Sequence, residues 1–80
     1  MEIDFDELVF EGQISEGGYG IIYKGTWRET TVAIKMFKIE SESAVRDFFS
    51  ECAAMEALRH PNIVMFLGAC TKAPNFAIVL

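Results

Sequence analysis

The sequence has few histidines and cysteines, the residues that most often hold zinc or form redox centres. It contains one histidine and two cysteines among 80 residues. Cys52 and Cys70 show neither a Cys-x-x-Cys spacing nor a nearby cluster of His or Cys, which argues against a zinc site and a thiol redox motif. Both lie in apolar stretches, so we expect reduced, buried thiols, with a single disulfide as the open alternative.

Basic residues are scarce as well. Seven Lys and Arg stand against twelve Asp and Glu, which gives a formal net charge of −5. This balance argues against a surface that binds nucleic acid or an anionic membrane. It also provides no long-range attraction for a phosphorylated ligand, so any such affinity has to come from local groups.

Long apolar runs and a secretion signal are both missing. The longest apolar stretch, at residues 63–70, is too short to span a bilayer and is typical of a buried strand. The acidic residues 1–7 lack the basic and apolar regions of a signal peptide. We therefore predict a cytoplasmic protein without a membrane partner.

The sequence does have a high apolar content for its size. Hydrophobic residues make up 51% of the chain, although a domain this small exposes much of its surface. No repeat, low-complexity tract or linker divides residues 1–80, so we predict a single domain. The apolar excess favours a face that a partner covers, with a core rich in Phe and Met as the alternative.

The order of the secondary structure elements predicts the fold class. Strands are predicted from apolar and β-branched residues at 8–14, 21–27, 31–37, 63–71 and 76–80. A helix is predicted at about 43–58, after the serines and glutamates of residues 40–43 and before Pro61. The sum is an α+β fold, a five-stranded antiparallel sheet with one helix inserted after the third strand.

The predicted helix is amphipathic. Its apolar residues recur at steps of three and four positions, which predicts one broad stripe that faces the core. The stripe consists of Val45, Phe48, Phe49, Cys52, Met55 and Leu58. Glu51 and Glu56 both lie beside apolar positions of this helix, and the helical spacing alone selects neither of them.

A glycine-rich turn and a lysine on a strand carry the chemistry. The turn GGYG at residues 17–20 joins the first two predicted strands, and Lys35 ends the apolar run VAIK at 32–35. Glycines let a backbone come close to phosphate oxygens, and a neighbouring cation stabilises them. An ammonium within an apolar strand also needs an anion. The pair indicates a triphosphate site, with a plain hairpin turn and a lysine that reaches solvent as the alternatives.

These motifs resemble, in order and spacing, the amino-terminal lobe of a eukaryotic protein kinase. The segment ISEGGYGIIYKG at residues 14–25 resembles the kinase glycine-rich loop and the strand after it. VAIK at 32–35 resembles the motif of the phosphate-contacting lysine, and LRHPNIV at 58–64 resembles the turn after the regulatory helix. The resemblance covers nearly the whole chain.

Within the kinases, three segments are most similar to the tyrosine-kinase-like group, whose members are mainly serine/threonine kinases. They are LVF at 8–10, GTWR at 25–28 and FLGACT at 66–71. The resemblance implies two catalytic residues in this chain. Lys35 would contact the α- and β-phosphates of ATP, and Glu51, which only the resemblance favours over Glu56, would pair with that lysine.

The resemblance also implies a set of nucleotide-binding residues. They are Ile14, Gly17, Gly20, Ile22, Ala33, Lys35 and Leu80. Ile22 and Ala33 correspond to the apolar residues that cover the adenine ring, and Leu80 corresponds to the residue at the back of the adenine pocket. Ser15 stands where the family usually has its first glycine, a departure that restricts the backbone at the start of the turn.

Phosphoryl transfer in the family also needs the H-R-D and D-F-G motifs of the carboxy-terminal lobe, and neither occurs in these 80 residues. We therefore predict no metal ligand here and no kinase activity of the chain alone, with ATP and magnesium as cofactors of an intact serine/threonine kinase. Its partner would be the missing carboxy-terminal lobe, or a second copy bound through an uncovered apolar face. The alternatives are a non-catalytic nucleotide-binding module and a self-associating interaction module.

Overall fold

The computed structural model describes residues 1–17, 20–58 and 65–80. In chain order the elements are a 3-10 helix (Phe5–Glu7), β1 (Leu8–Gly17), β2 (Gly20–Trp27), β3 (Thr30–Phe37), α1 (Glu42–Ala57), β4 (Gly68–Lys72) and β5 (Asn75–Val79). Gly18 and Tyr19 of the predicted turn, and residues 59–64 at the predicted helix end and strand start, lie outside the described residues.

The five strands form one sheet in the order β1-β2-β3-β5-β4, and each neighbouring pair is antiparallel. After the crossover through α1, β3 pairs with β5 and not with β4, so β4 is an edge strand. The arrangement confirms the predicted α+β class with one helix inserted after the third strand. Within the described ranges, no helix is long and apolar enough to cross a bilayer.

The hairpin of β1 and β2 is longer than predicted. The first strand is predicted over residues 8–14, whereas its ladder with β2 continues until Gly17 faces Gly20. Pairing with β2 therefore carries the strand past its last apolar residue, because tertiary context outweighs strand propensity. A register shift between Gln13 and Ser15 interrupts the ladder, and irregularities of this kind bend and twist a hairpin.

The predicted strand over residues 63–71 begins too early. β4 starts at Gly68, which faces Val79, the last residue of β5. Only Leu67 extends the contact, through its N–H, which donates to the Val79 carbonyl at 2.9 Å. The described residues before it have no more of β5 beside them, and Met65 is 73% exposed. An apolar run cannot show where its partner strand stops.

Successive residues of β3 point to opposite faces of the sheet. Val32 and Ile34 belong to a buried cluster with Ile3, whereas Phe37 packs against a second cluster that contains Phe48 of α1. We name the first side the strap face, because the amino-terminal residues cover it. The second side is the helix face, and α1 covers part of it.

Residues 1–7 form a strap along β4 that no sequence motif predicts. The Ile3 N–H donates to the Ala69 carbonyl at 2.8 Å, and the Ala69 N–H donates to the Met1 carbonyl at 2.9 Å. The Ile3 side chain is 1% exposed and lies in the core of the strap face. Residues before the first predicted strand are therefore part of the folded sheet.

Two further contacts hold the strap in place. A Cβ at Gly68 would lie 2.5 Å from the Met1 carbonyl oxygen, so the strap can approach β4 only because this residue is glycine. The Glu2 carboxylate accepts from the Thr71 N–H at 3.1 Å and from the Thr71 hydroxyl. Both contacts join the first residues of the chain to the edge strand.

Helix α1 is capped by Ser41, whose hydroxyl accepts from the Ala44 N–H at 3.2 Å. Phe48 is its buried residue, at 1% exposure. The predicted stripe is wrong at two positions, since Phe49 and Leu58 are 47% and 51% exposed. The helix packs against one face of one sheet, so residues at the edges of a broad apolar stripe have no surface to pack against.

The prediction of reduced thiols is confirmed, because both cysteines are free. Cys70 is 2% exposed, and Cys52 is half-buried on α1. Burial, reinforced by the negative charges of Glu2 and Asp4, raises the pKa of the Cys70 thiol to about 11. The thiol is therefore protonated at neutral pH and is not a nucleophile.

Candidate functional site

Lys35 and Glu51 meet across the gap between the sheet and α1. The Lys35 Nζ donates to the Glu51 Oε1 at 2.9 Å, and the two side chains are 22% and 36% exposed. Glu56, the other glutamate beside the apolar stripe, is exposed. The structure thus brings together the two residues that the family resemblance names as catalytic.

The local structure of β3 and α1 explains why Lys35 and Glu51 are in contact. Alternation along β3 directs Lys35 to the helix face, together with its neighbours at even spacing, Ala33 and Phe37. On α1, Glu51 follows the buried Phe48 by three positions, which places both on the same side of the helix. When Phe48 packs into the helix face, Glu51 is carried to the lysine.

Because the Lys35–Glu51 pair is partly buried, its loss costs more stability than the loss of a fully exposed ion pair. Fully exposed pairs contribute about 0–1 kcal/mol, because water screens them and two long side chains lose rotamer freedom. Here the lysine is mostly covered, so loss of the carboxylate would leave an ammonium partly out of water. The arrangement therefore holds a cation at a fixed place on the helix face.

Beside this cation lies a group of apolar residues that α1 does not fully cover. Ile22 faces Lys35 directly in the β2–β3 ladder. The Ala33 N–H donates to the Leu80 carbonyl at 3.0 Å, and the Leu80 N–H donates to the Ala33 carbonyl at 2.9 Å. All three residues remain partly exposed. We name Ile22, Ala33 and Leu80 the open patch.

The two described glycines of the hairpin end have different surroundings. Gly20 has a φ of +150°, and a Cβ there would lie 1.8 Å from the Met36 carbonyl oxygen. Gly20 is therefore required by the close approach of β2 to β3, whatever else it contacts. A Cβ at Gly17 would meet no atom within 4 Å, so the backbone there is open to an approaching group.

Ile14 and Ser15 lie on β1 at the register shift that follows Gln13. Ile14 is 61% exposed, as an apolar residue would be if it faced a binding site. Ser15 pairs with Ile22 inside the ladder, so the strand accommodates this departure from the usual glycine in ordinary paired backbone. The loss of freedom at Ser15 thus affects a residue that the ladder already holds.

Two clefts border these elements. One of about 170 Å³ lies between the end of β3 and the first turns of α1, with Phe37, Asp47 and Glu51 among its lining residues. Another of about 400 Å³ lies between the strap and the β4–β5 hairpin, and four acidic residues, including Glu2 and Asp4, are among those that line it. Only the first adjoins the Lys35–Glu51 pair.

Metal ligands do not cluster in this part of the chain. Across residues 1–17, 20–58 and 65–80, no group of three or more His, Cys, Asp or Glu side chains could hold a metal ion. The functional groups on the helix face thus include the Lys35 cation with its carboxylate partner, an apolar platform and an approachable glycine backbone. This set fits a nucleotide, which is apolar at the base and anionic at the phosphates.

A five-stranded antiparallel sheet with one helix after the third strand, and a helix glutamate on a β3 lysine, is the arrangement of a protein kinase amino-terminal lobe. The family model described as protein tyrosine and serine/threonine kinase matches residues 8–80. The chain therefore belongs to this family, and the resemblance predicted from its motifs is confirmed.

Individual relatives agree with the family match. The chain is 47% identical over 73 residues to a dual specificity protein kinase of Dictyostelium discoideum, with 88% of the chain aligned. It is 44% identical over 80 residues to an Arabidopsis thaliana protein named "Probable serine/threonine-protein kinase SIS8", and 42% identical over 80 residues to serine/threonine-protein kinase STY17 of the same plant. The alignments cover 98% of the chain in both plant cases.

The chain spans only a small part of these relatives. It corresponds to 3% of the Dictyostelium protein and to 8% and 14% of the two plant proteins. These relatives, which their names describe as kinases, are therefore many times longer than this chain.

Proposed function

We propose that the chain is the ATP-binding lobe of a serine/threonine protein kinase of the tyrosine-kinase-like group, and that it transfers no phosphate alone. The observation that carries the proposal is the position of the Lys35 ammonium, 2.9 Å from Glu51 and directly across the ladder from Ile22. One face of the sheet thus offers both a fixed cation and an apolar surface.

The open patch supports the base-binding half of the proposal. Ile22 and Ala33 lie on adjacent strands of the helix face, and Leu80 is fixed to Ala33 by two backbone hydrogen bonds. Partly exposed apolar side chains of this kind hold a flat ring by desolvation and dispersion. Ile14, exposed on β1, would add to the same surface.

The cation supports the phosphate-binding half. Glu51 holds the Lys35 ammonium at the edge of the open patch, where it would contact the α- and β-phosphates. Gly17 leaves the backbone approachable from the same end of the sheet. When bound, ATP supplies the γ-phosphoryl group, and magnesium neutralises charge on its phosphates. The residues of this chain bind and orient; the base and the metal ligands have to come from elsewhere.

Assignment to serine/threonine kinases of the tyrosine-kinase-like group is supported by two observations. The segments LVF at 8–10, GTWR at 25–28 and FLGACT at 66–71 resemble the tyrosine-kinase-like group, which supports that part of the proposal. Two of the relatives carry serine/threonine kinase in their names, and a third is named as a dual specificity kinase. The phosphoacceptor is therefore proposed to be a serine or threonine hydroxyl.

Isothermal titration calorimetry with MgATP tests the proposal. We expect weak binding by the parent chain and an affinity about ten- to a hundredfold lower in Lys35→Ala, because a hydrogen bond to a charged group contributes about 1.5–3 kcal/mol. Lys72→Ala is the matched control, since Lys72 is an exposed lysine on β4, away from the open patch.

Three results would contradict the proposal. Absence of any binding heat would remove the nucleotide site altogether. Equal affinities for the parent chain and Lys35→Ala would show that the cation is not at the phosphates. Equal losses of affinity in Lys35→Ala and Lys72→Ala would show that the effect comes from the net charge of the chain and not from a contact of Lys35.

A further inference from the structure

Lys35 has a second neighbour besides Glu51. Its Nζ lies 5.0 Å from the centroid of the Phe37 ring, two positions further along β3. The Phe37 ring in turn meets the Phe48 ring of α1 edge-on, with centroids 5.0 Å apart and planes at 78°. Phe48 precedes Glu51 by one helical turn, so these four residues form a closed circuit between strand and helix.

Each contact in the circuit has a defined physical basis. The face of an aromatic ring carries negative charge density and attracts an ammonium within about 6 Å of its centroid. Two rings prefer the edge-to-face arrangement seen between Phe37 and Phe48. Phe48 is 1% exposed, and buried side chains are closely packed, so it gives Phe37 a rigid support.

The Phe37 ring fixes the direction of the Lys35 ammonium, which the Glu51 carboxylate alone does not. A lysine ends in a compact charge on a flexible four-carbon stem, and one carboxylate fixes its distance but not its direction. The Phe37 ring approaches from the same strand, whereas Glu51 approaches from the helix. Two contacts from different elements restrict the ammonium to one place on the helix face.

We propose that Phe37 is a positioning residue for Lys35, an inference that rests on the proposed nucleotide-binding role of the lysine. Its ring face holds the ammonium, while its contact with Phe48 sets the helix turn that presents Glu51. Phe37 thereby couples the place of α1 on the sheet to the place of the cation.

Two variants separate this role from ordinary packing. Phe37→Tyr keeps the ring, and Phe37→Leu keeps apolar volume but removes the ring; Phe37→Met is a second ringless variant should the leucine variant fail to fold. The first readout is the NMR shift of the Lys35 ε-protons, which a nearby ring face moves upfield. We expect the upfield shift in the parent chain and in Phe37→Tyr, and its loss in the ringless variants.

The second readout is a double-mutant cycle on the unfolding equilibrium in urea, with Lys35→Met as the other substitution. An exposed to half-buried cation–π contact corresponds to a coupling of about two- to fivefold in the unfolding constant. We expect this coupling between Phe37→Leu and Lys35→Met, and none between Phe37→Tyr and Lys35→Met.

An unchanged ε-proton shift in the ringless variants would overturn the proposal, and so would strictly additive effects in the cycle. Neither readout requires ATP. A chain that shows the shift and the coupling but binds no MgATP would therefore contradict the proposed function while the Phe37 contact stands. A chain that binds MgATP without them would do the reverse.

Discussion

At the scale of single residues, Gly20 illustrates how a residue named for function can be fixed by structure. The family resemblance names it as a nucleotide contact, and the positive φ and the Met36 carbonyl require glycine there in any case. Loss of ATP binding in a Gly20 variant would therefore not identify a phosphate contact. Gly17, which has open space around it, is the better position for that question.

We predict that Gly20→Ala destabilises the fold, whereas Gly12→Ala does not. The first places a methyl group 1.8 Å from a carbonyl oxygen, in a backbone region that costs alanine about 1–3 kcal/mol before the clash is counted. The second places it in open space within β1, where replacing glycine stabilises a strand by about 0.5–1 kcal/mol. Urea unfolding followed by circular dichroism measures both, and equal midpoints would contradict the prediction.

The Lys35–Glu51 pair marks the limit of inference from residue patterns. Helical spacing placed both Glu51 and Glu56 beside apolar positions and could not choose between them. The choice depends on which turn of α1 the sheet holds, and that is set by Phe48 against Phe37 and Phe76. Only a family resemblance, which carries tertiary information, favours the right glutamate from the sequence. The catalytic roles themselves stay a prediction.

At the scale of elements, the strap behaves as part of the sheet rather than as a loose terminus. Its side chain Ile3 shares the core of the strap face with residues of β2, β3, β4 and β5. The strap is thus one of two layers that cover the sheet, with α1 as the other. A lobe of this size has a core that contributes only about 3–5 kcal/mol, so neither layer is dispensable.

We predict that Ile3→Ala unfolds a large fraction of the chain at room temperature. Removing a buried isoleucine to alanine costs about 2–5 kcal/mol, most of what such a small core provides. Val9→Ala is the matched control, because Val9 is 58% exposed on β1. Amide dispersion in NMR spectra measures the folded fraction. Ile3→Ala spectra as well dispersed as those of Val9→Ala would show that the strap is not part of the core.

The predictability of the elements follows from the range of the interactions that form them. The hairpin, β3, α1 and β5 have local signals such as glycines, β-branched runs and the Ser41 cap, and they are confirmed apart from their ends. The strap has no periodic pattern that a sequence reading could detect. Its burial depends on a contact with Gly68, far along the chain. The apolar stripe predicted on α1 is too broad. The spacing of apolar residues indicates which side of the helix is apolar, but not how much of that side the sheet covers.

At the scale of the whole molecule, apolar side chains remain uncovered after the end of α1 and in the segment before β4. Leu58 and Met65 flank the residues that lie outside the description, and they are 51% and 73% exposed. In addition, Ile22 and Ala33 leave part of the helix face accessible. Exposed apolar groups of this kind mark a surface for a partner. The proposed partner is a carboxy-terminal lobe, and a second copy of the chain is the competitor in its absence.

We predict that the isolated chain self-associates through its exposed apolar side chains, Leu58 and Met65 among them. Sedimentation velocity should show an average mass that rises with concentration toward that of a dimer, and Leu58→Ser with Met65→Ser should lower it. Val9→Ser is the control, because it changes an equally exposed apolar residue on β1. A chain that stays monomeric at all concentrations would leave the carboxy-terminal lobe as the proposed partner.

The strap also determines how many edges of the sheet remain available to other strands. On the β4 edge, Met1 and Ile3 occupy the N–H and carbonyl of Ala69, and Glu2 occupies the N–H of Thr71. Polymerisation by strand addition requires two free edges on every molecule, and in the sheet formed by the described strands β1, at the opposite side, offers the one free edge. Two copies can therefore join once, edge to edge, but a fibre cannot grow until the first three residues leave β4.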